Sequence, residues 1–243
     1  KQNITEQKVE KVSIYTKLGT YVIARPVRLT IISLVIIGGL GVLATKNVFN
    51  DEFVEYFDQS VKFRTDSDFI NDNLTGFYNV EFSVGSGESG GINNPNYLKK
   101  LNEFESWLET QPEVVHVNTF TDVIKRLNKN MHGDDEQWYS LPDSRELAAQ
   151  YLLLYEMSLP FGLDLNNQVN VDKSATRLTV TVKNLSTNQL LSLQQRANTW
   201  LQENTEDLAI GEGSSSDVMF AHIGYRNVRT MLEGTFLAIL LIS

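Results

Sequence analysis

The chain has no cysteine. Disulfides, cysteine-ligated zinc and iron–sulfur clusters are therefore excluded. The composition suits an oxidising compartment entered without disulfide chemistry. Histidine is scarce. His116, His132 and His222 stand far apart, and none has a second ligand at helical or finger spacing. Clustered Lys and Arg are also missing, and the net charge is −9, so nucleic-acid phosphates are not an expected partner. What remains is an ordinary folding composition. With 42% apolar and 21% charged residues, the 243-residue chain has enough for a real core and is not a disordered segment.

Catalytic motifs are lacking as well. The glycines of "GSGESGG" carry no G-x-x-x-x-G-K and read as a turn. No G-x-S-x-G nucleophile elbow occurs. The loop "MHGDDE" puts one His and three acids close together, without the repeated spacing of a calcium loop, and reads as solvated. Paired carboxylates are plentiful, as on any acidic surface, and specify nothing. The expectation is no enzyme, with no catalytic, cofactor-binding or metal-binding residues and no cofactor.

Charge is unevenly placed. Residues 1–28 carry a net +4, which leaves −13 for the rest. Directly after this basic head comes "LTIISLVIIGGLGVLAT", Leu29–Thr45, without a charge. At about 1.5 Å per helical residue it nearly matches the roughly 30 Å hydrocarbon core of a bilayer. Its glycines weaken a soluble helix but suit close packing in a membrane. A buried core helix would normally keep polar residues on one face. A cleaved signal peptide would start earlier and end on a small-x-small site. The reading is a retained transmembrane helix over residues 29–46. The positive flank "ARPVR" and the acidic "NDEFVEYFD" that follows put residues 1–28 in the cytoplasm and the acidic body outside.

From residue 216 the chain reads as a helix that becomes steadily more apolar and ends on "FLAILLI". Residues 216–243 are expected to lead into a second, truncated transmembrane helix.

Between these segments, residues 47–215 show a repeated pattern. "YNVEFSV" alternates as a strand, with Val80, Phe82 and Val84 on one face. Asn94-Pro95 opens a helix, along which Tyr97, Leu101, Phe104 and Leu108 form a stripe flanked by Leu98 and Trp107. "EVVHVN" is a short strand. The order then returns. "RLTVTV" alternates, and Ser186 with Gln189 forms a capping box. Leu190, Leu193, Ala197, Trp200 and Leu201 face inward, and "LAIGEG" closes the unit. Two such units predict an α+β fold, a ferredoxin-like split βαβ domain with helices on one sheet face.

An insertion, about residues 119–168, holds helices over Thr121–Asn130 and Asp143–Met157, the second capped by Asp143 with Glu146. Leu147, Tyr151 and Leu154 are expected to face inward. Tyr151, Tyr155, Met157 and Phe161 offer soft, polarisable surface and are the substrate-path candidates, with core packing as their ordinary reading.

Several stretches resemble the resistance-nodulation-division (RND) superfamily of exporters, in its MMPL-like, hydrophobe/amphiphile efflux-3 branch. They are "DEFVEYFDQSVKFRTDSDFINDNLTG", "GGINNPNYLKKLNEFESWLETQPEVVHVNTFTDVIKRLNKNMHGDDEQWYSLP", "AAQYLLLYEMSLPFGLDLNN", "DKSATR" and "MFAHIGYRNVRTMLEGTFLAILLIS". The resemblance implies a multi-pass protein of the bacterial inner membrane, built of two similar halves. The segment would be the start of the second half, with residues 1–28 as a cytoplasmic basic linker. Residues 47–215 would be the periplasmic porter domain, and the chain would stay periplasmic to about residue 230. Its partners would be the lipid bilayer, the remaining transmembrane half, a hydrophobic or amphiphilic substrate and, in some assemblies, further copies in an oligomer. Efflux driven by proton entry is implied, with relay carboxylates in spans outside this segment. The alternative is a bitopic sensor with a periplasmic ligand-binding domain. A membrane-anchored periplasmic enzyme is disfavoured by the missing motifs.

Overall fold

The computed structural model describes residues 14–44, 46, 53–76, 78–160, 162–205 and 208–242. The chain divides into two compact units, Lys1–Val48 and Phe49–Ser243.

The first unit holds α1 (Ile14–Ala24) and α2 (Pro26–Ala44). Pro26 opens α2 at a position where its missing N–H has no helical partner to lose. Arg25 marks the break, its guanidinium 5.2 Å from the Tyr21 ring centroid. α2 begins three residues before the expected Leu29, because proline at the first helical position extends the helix backward. No residue of α2 is buried. Its mean hydropathy is 2.2, and among the described residues it is the one helix long and apolar enough to cross a membrane. The sequence reading marks no helix over α1, which has no buried face to impose a period.

The second unit is α+β. It contains a 3-10 turn (Phe53–Tyr56), α3 (Lys62–Asn73), β1 (Tyr78–Gly85), α4 (Pro95–Glu109), β2 (Val114–Asn118), α5 (Phe120–Met131) and α6 (Arg145–Ser158). Then come β3 (Ala175–Val182), α7 (Thr187–Asn204), β4 (Ala209–Ile210) and α8 (Ser216–Ile242). The sheet order is β2-β3-β1-β4, and every neighbouring pair is antiparallel. β1 and β2 both oppose β3, so they run the same way, and α4 is the crossover between them. β3 and β4 both oppose β1, and α7 is their crossover.

Strand alternation separates two sheet faces. Val80, Phe82 and Val84 of β1 and Thr176, Leu178, Val180 and Val182 of β3 are buried. α4 and α7 cover this face with Leu101, Phe104, Leu108, Leu193, Ala197 and Leu201. Tyr97 fixes α4 to the sheet, its hydroxyl 2.9 Å from the Val84 carbonyl and 2.6 Å from Thr176 Oγ1. The opposite face is polar. Thr181 donates to Asn79 at 3.0 Å, and Arg177 pairs with Glu81 at 3.5 Å.

Local signals explain most element starts. Asn94 accepts from the Asn96 N–H at 3.0 Å. Ser186 and Gln189 exchange both bonds of a capping box. Two expectations in the insertion need correcting. The cap of α6 is Ser144, whose Oγ accepts from the Leu147 N–H at 3.1 Å, so the helix starts at Arg145 and not at Asp143. Leu154 does not face inward; it is 49% exposed, whereas Ala148, Tyr151 and Leu152 are buried. At 3.6 residues per turn Leu154 lies about 120° round the helix from Ala148. α5 is one residue longer at each end than expected. α3 carries no predicted element, since Ser67 is its one buried residue and no apolar stripe shows.

Candidate functional site

An open cleft of about 360 Å³ lies where α7, α8, the head of β1 and the 3-10 turn meet. Its walls are mostly apolar. The turn and the residue after it supply Tyr56 and Phe57, β1 supplies Tyr78, and the start of α7 supplies Leu185 and Leu190. α8 completes it with Phe220, Ala221 and Ile223. Phe57 is held edge-on against Phe63 of α3, with centroids 5.1 Å apart. Tyr56, Phe220 and Ile223 are exposed, so large apolar side chains stand around a concave surface in contact with solvent.

Among the described residues Asp217 is the one carboxylate in this lining. It sits in the first turn of α8, where Ser215 caps the helix by accepting from the Val218 N–H at 3.1 Å. Burial pushes its carboxyl above the ordinary value, against a smaller opposing effect from its own backbone N–H. It makes no ion pair among the described residues.

α8 is locked to α7 behind the cleft. Gln194, which is buried, donates from Nε2 to the Gly213 carbonyl at 2.5 Å. Its Oε1 lies 3.2 Å from His222 Nε2. With the Gln194 amide nitrogen committed to Gly213, the oxygen accepts, so His222 presents Nε2–H.

A second, polar cleft of about 680 Å³ is lined from α4, β2 and α5. Glu105 lies at its base, 5% exposed. Its Oε2 accepts from Thr121 at 2.7 Å and Thr119 at 3.2 Å, with Lys125 Nζ at 3.4 Å. Burial raises the Glu105 carboxyl above its ordinary value, partly opposed by the Thr121 bond. Among the described residues no group of His, Asp and Glu could hold a metal ion.

Of the four substrate-path candidates, the three among the described residues do not converge. Tyr151 is a core residue whose hydroxyl donates to Asn128 Oδ1 at 2.9 Å. Tyr155 lines the polar cleft. Met157 is 76% exposed and lines neither cleft. Phe161 lies outside the described residues. In the "MHGDDE" loop, His132 stacks on Trp138 with centroids 3.7 Å apart, and Lys129 pairs with Glu136. The sequence reading missed Asp217 and Phe220. The available signal was an acid followed by "VMFA" at the head of an increasingly apolar helix.

No protein-family model matches the chain, and no curated protein matches it in sequence.

Proposed function

We propose that the chain is a segment of a proton-driven RND-type exporter of hydrophobic or amphiphilic, lipid-like molecules. In this reading α2 spans a bacterial inner membrane and residues 1–28 are cytoplasmic. Residues 47–215 form a periplasmic porter domain of the ferredoxin-like split βαβ kind, and α8 leads toward a second span. The supporting observation is the combination in one chain of a wholly unburied helix, uncharged from Leu29 onward, with a two-crossover antiparallel sheet domain that carries an apolar cleft. The β2-β3-β1-β4 order, with both crossover helices on one face, is the arrangement a split βαβ domain requires. Leu29–Ala44 contains no ionisable residue. Coupling to protons needs one inside the membrane, so this segment binds and moves cargo while other spans of the protein carry the protons.

The absence of cysteine provides a clean test of the topology. Single cysteines are introduced at Lys17→Cys and at Val171→Cys, both exposed positions, and cells are treated with a membrane-impermeant maleimide. Val171→Cys should label in spheroplasts and Lys17→Cys only after permeabilisation; the reverse pattern would sink the topology. Proteoliposomes of the full-length protein should then expel an amphiphile when a proton gradient is imposed. No efflux with any amphiphile, together with ligand-dependent signalling, would support the sensor instead.

A further inference from the structure

We propose that the cleft beneath α8 selects cationic amphiphiles, with Asp217 receiving a protonated amine while the aromatic and aliphatic walls take the apolar body. The inference rests on the reading of this cleft as an amphiphile site and adds the chemistry of the head group.

The volume, about 360 Å³, falls in the roughly 300–1,000 Å³ range of small-molecule pockets. Its apolar wall would bind a hydrocarbon of any head group. The carboxylate breaks that indifference. It is partly withdrawn from water, at a cost to its ionised form. Among the described residues no Lys, Arg or His lines the cleft to offset that cost. Elsewhere in this domain buried or half-buried acids have a cation at hand: Lys125 for Glu105, Arg196 for Glu113, Lys173 for Glu156. Among the described residues Asp217 departs from that pattern, and it does so in a cleft where an apolar ligand has room to supply the cation. An ammonium head would gain a charge-assisted hydrogen bond to a half-buried carboxylate. A hydroxyl would gain an ordinary bond. A carboxylate would be repelled.

The test is equilibrium binding to the full chain in lipid nanodiscs, with empty nanodiscs as the partition control. The probes are octylammonium, octanol and octanoate, matched in tail and differing in head. Wild type should bind octylammonium about tenfold more tightly than octanol, and octanoate least. Asp217→Asn should erase the ammonium preference and leave octanol unchanged. Ile223→Trp, at an exposed lining position, should fill the cleft and weaken all three probes. Circular dichroism confirms that both variants fold. If Ile223→Trp blocks binding but Asp217→Asn does not alter head-group preference, the cleft binds amphiphiles and the charge proposal is wrong. If neither variant changes anything, the cleft is not a ligand site and both readings fall. No proton gradient enters the measurement, so a failure of export leaves the result standing.

Discussion

Trp107 of α4 stacks on Trp200 of α7, with ring centroids 5.8 Å apart and planes 25° apart. Phe104 completes the group, 5.2 Å from Trp200 and 6.1 Å from Trp107. The two crossover helices are thus joined by aromatic surface as well as by the sheet beneath them. Either tryptophan changed to alanine should cost about 2–3 kcal/mol, below the usual core value because both rings are only partly buried. A double-mutant cycle should return a coupling of about 0.5–1.5 kcal/mol. A coupling of zero in denaturant titrations would mean that the rings pack independently.

Glu105 predicts a pH dependence with a definite sign. Its folded-state carboxyl titrates above the ordinary value of 4.5, chiefly because of burial. The fold therefore holds a proton that the unfolded chain releases. The stability this provides is complete below about pH 4.5 and is lost as pH rises through the folded value. Glu105→Gln cannot lose that proton. Its stability relative to wild type should climb as pH is raised from 4.5 toward neutrality, read by denaturation at each pH. A difference that stays level over that range would contradict the assignment.

Tyr151→Phe separates packing from cargo contact. The change removes the donor to Asn128 Oδ1, and Asn128 is 3% exposed. Leaving that oxygen unpaired should cost about 1–2 kcal/mol of stability. Under the proposed exporter function, transport per folded molecule should be unaffected. A fall in export with unchanged stability would place Tyr151 in the substrate path.

Gly213 allows the α7–α8 junction to pass close to the sheet. A Cβ built there would lie 2.6 Å from Cε1 and Cζ of Phe82. Phe82 cannot readily retreat, because it is buried and sits edge-on to Phe104 at 5.4 Å. Gly213→Ala should therefore destabilise by about 1–3 kcal/mol, visible as a lowered melting temperature. A neutral effect would mean that the junction shifts freely.

Features whose causes lie within one helical turn or one strand were readable from the sequence. The Ser186–Gln189 capping box, the Asn94 cap, the alternation from Tyr78 to Val84 and the stripe from Tyr97 to Leu108 all depend on near neighbours. So did the α+β character, which follows from the recurrence of strand, helix and strand. The sheet register was not readable, since Tyr78 meets Val182 across the length of the insertion. The true cap of α6 lost out to an equally plausible neighbour, because Asp143 and Ser144 are both good capping residues. The apolar cleft was out of reach for a different reason. Tyr56, Tyr78, Leu190 and Phe220 come from four separate segments, and each alone looks like an ordinary hydrophobic position. The candidates from α6 were chosen for their soft, polarisable side chains, a property that does not say which way each one faces: Tyr151 is buried, Tyr155 lines the polar cleft and Met157 is exposed.

α8 has a further consequence. It is a single helix of 27 residues in which only Val218 and Ala221 are buried, both near its start. Such a rod is about 40 Å long and is clamped at one end by the Gln194–His222 contact. It behaves as a lever with its fulcrum beside the cleft. A pivot of about 5° would sweep the far end, about 30 Å beyond His222, through about 2–3 Å on the length given by the helical rise, while Phe220 and Ile223 would move by tenths of an ångström. Run in the opposite direction, the same gearing converts a broad swing at the distal end into a small, forceful adjustment of the cleft wall.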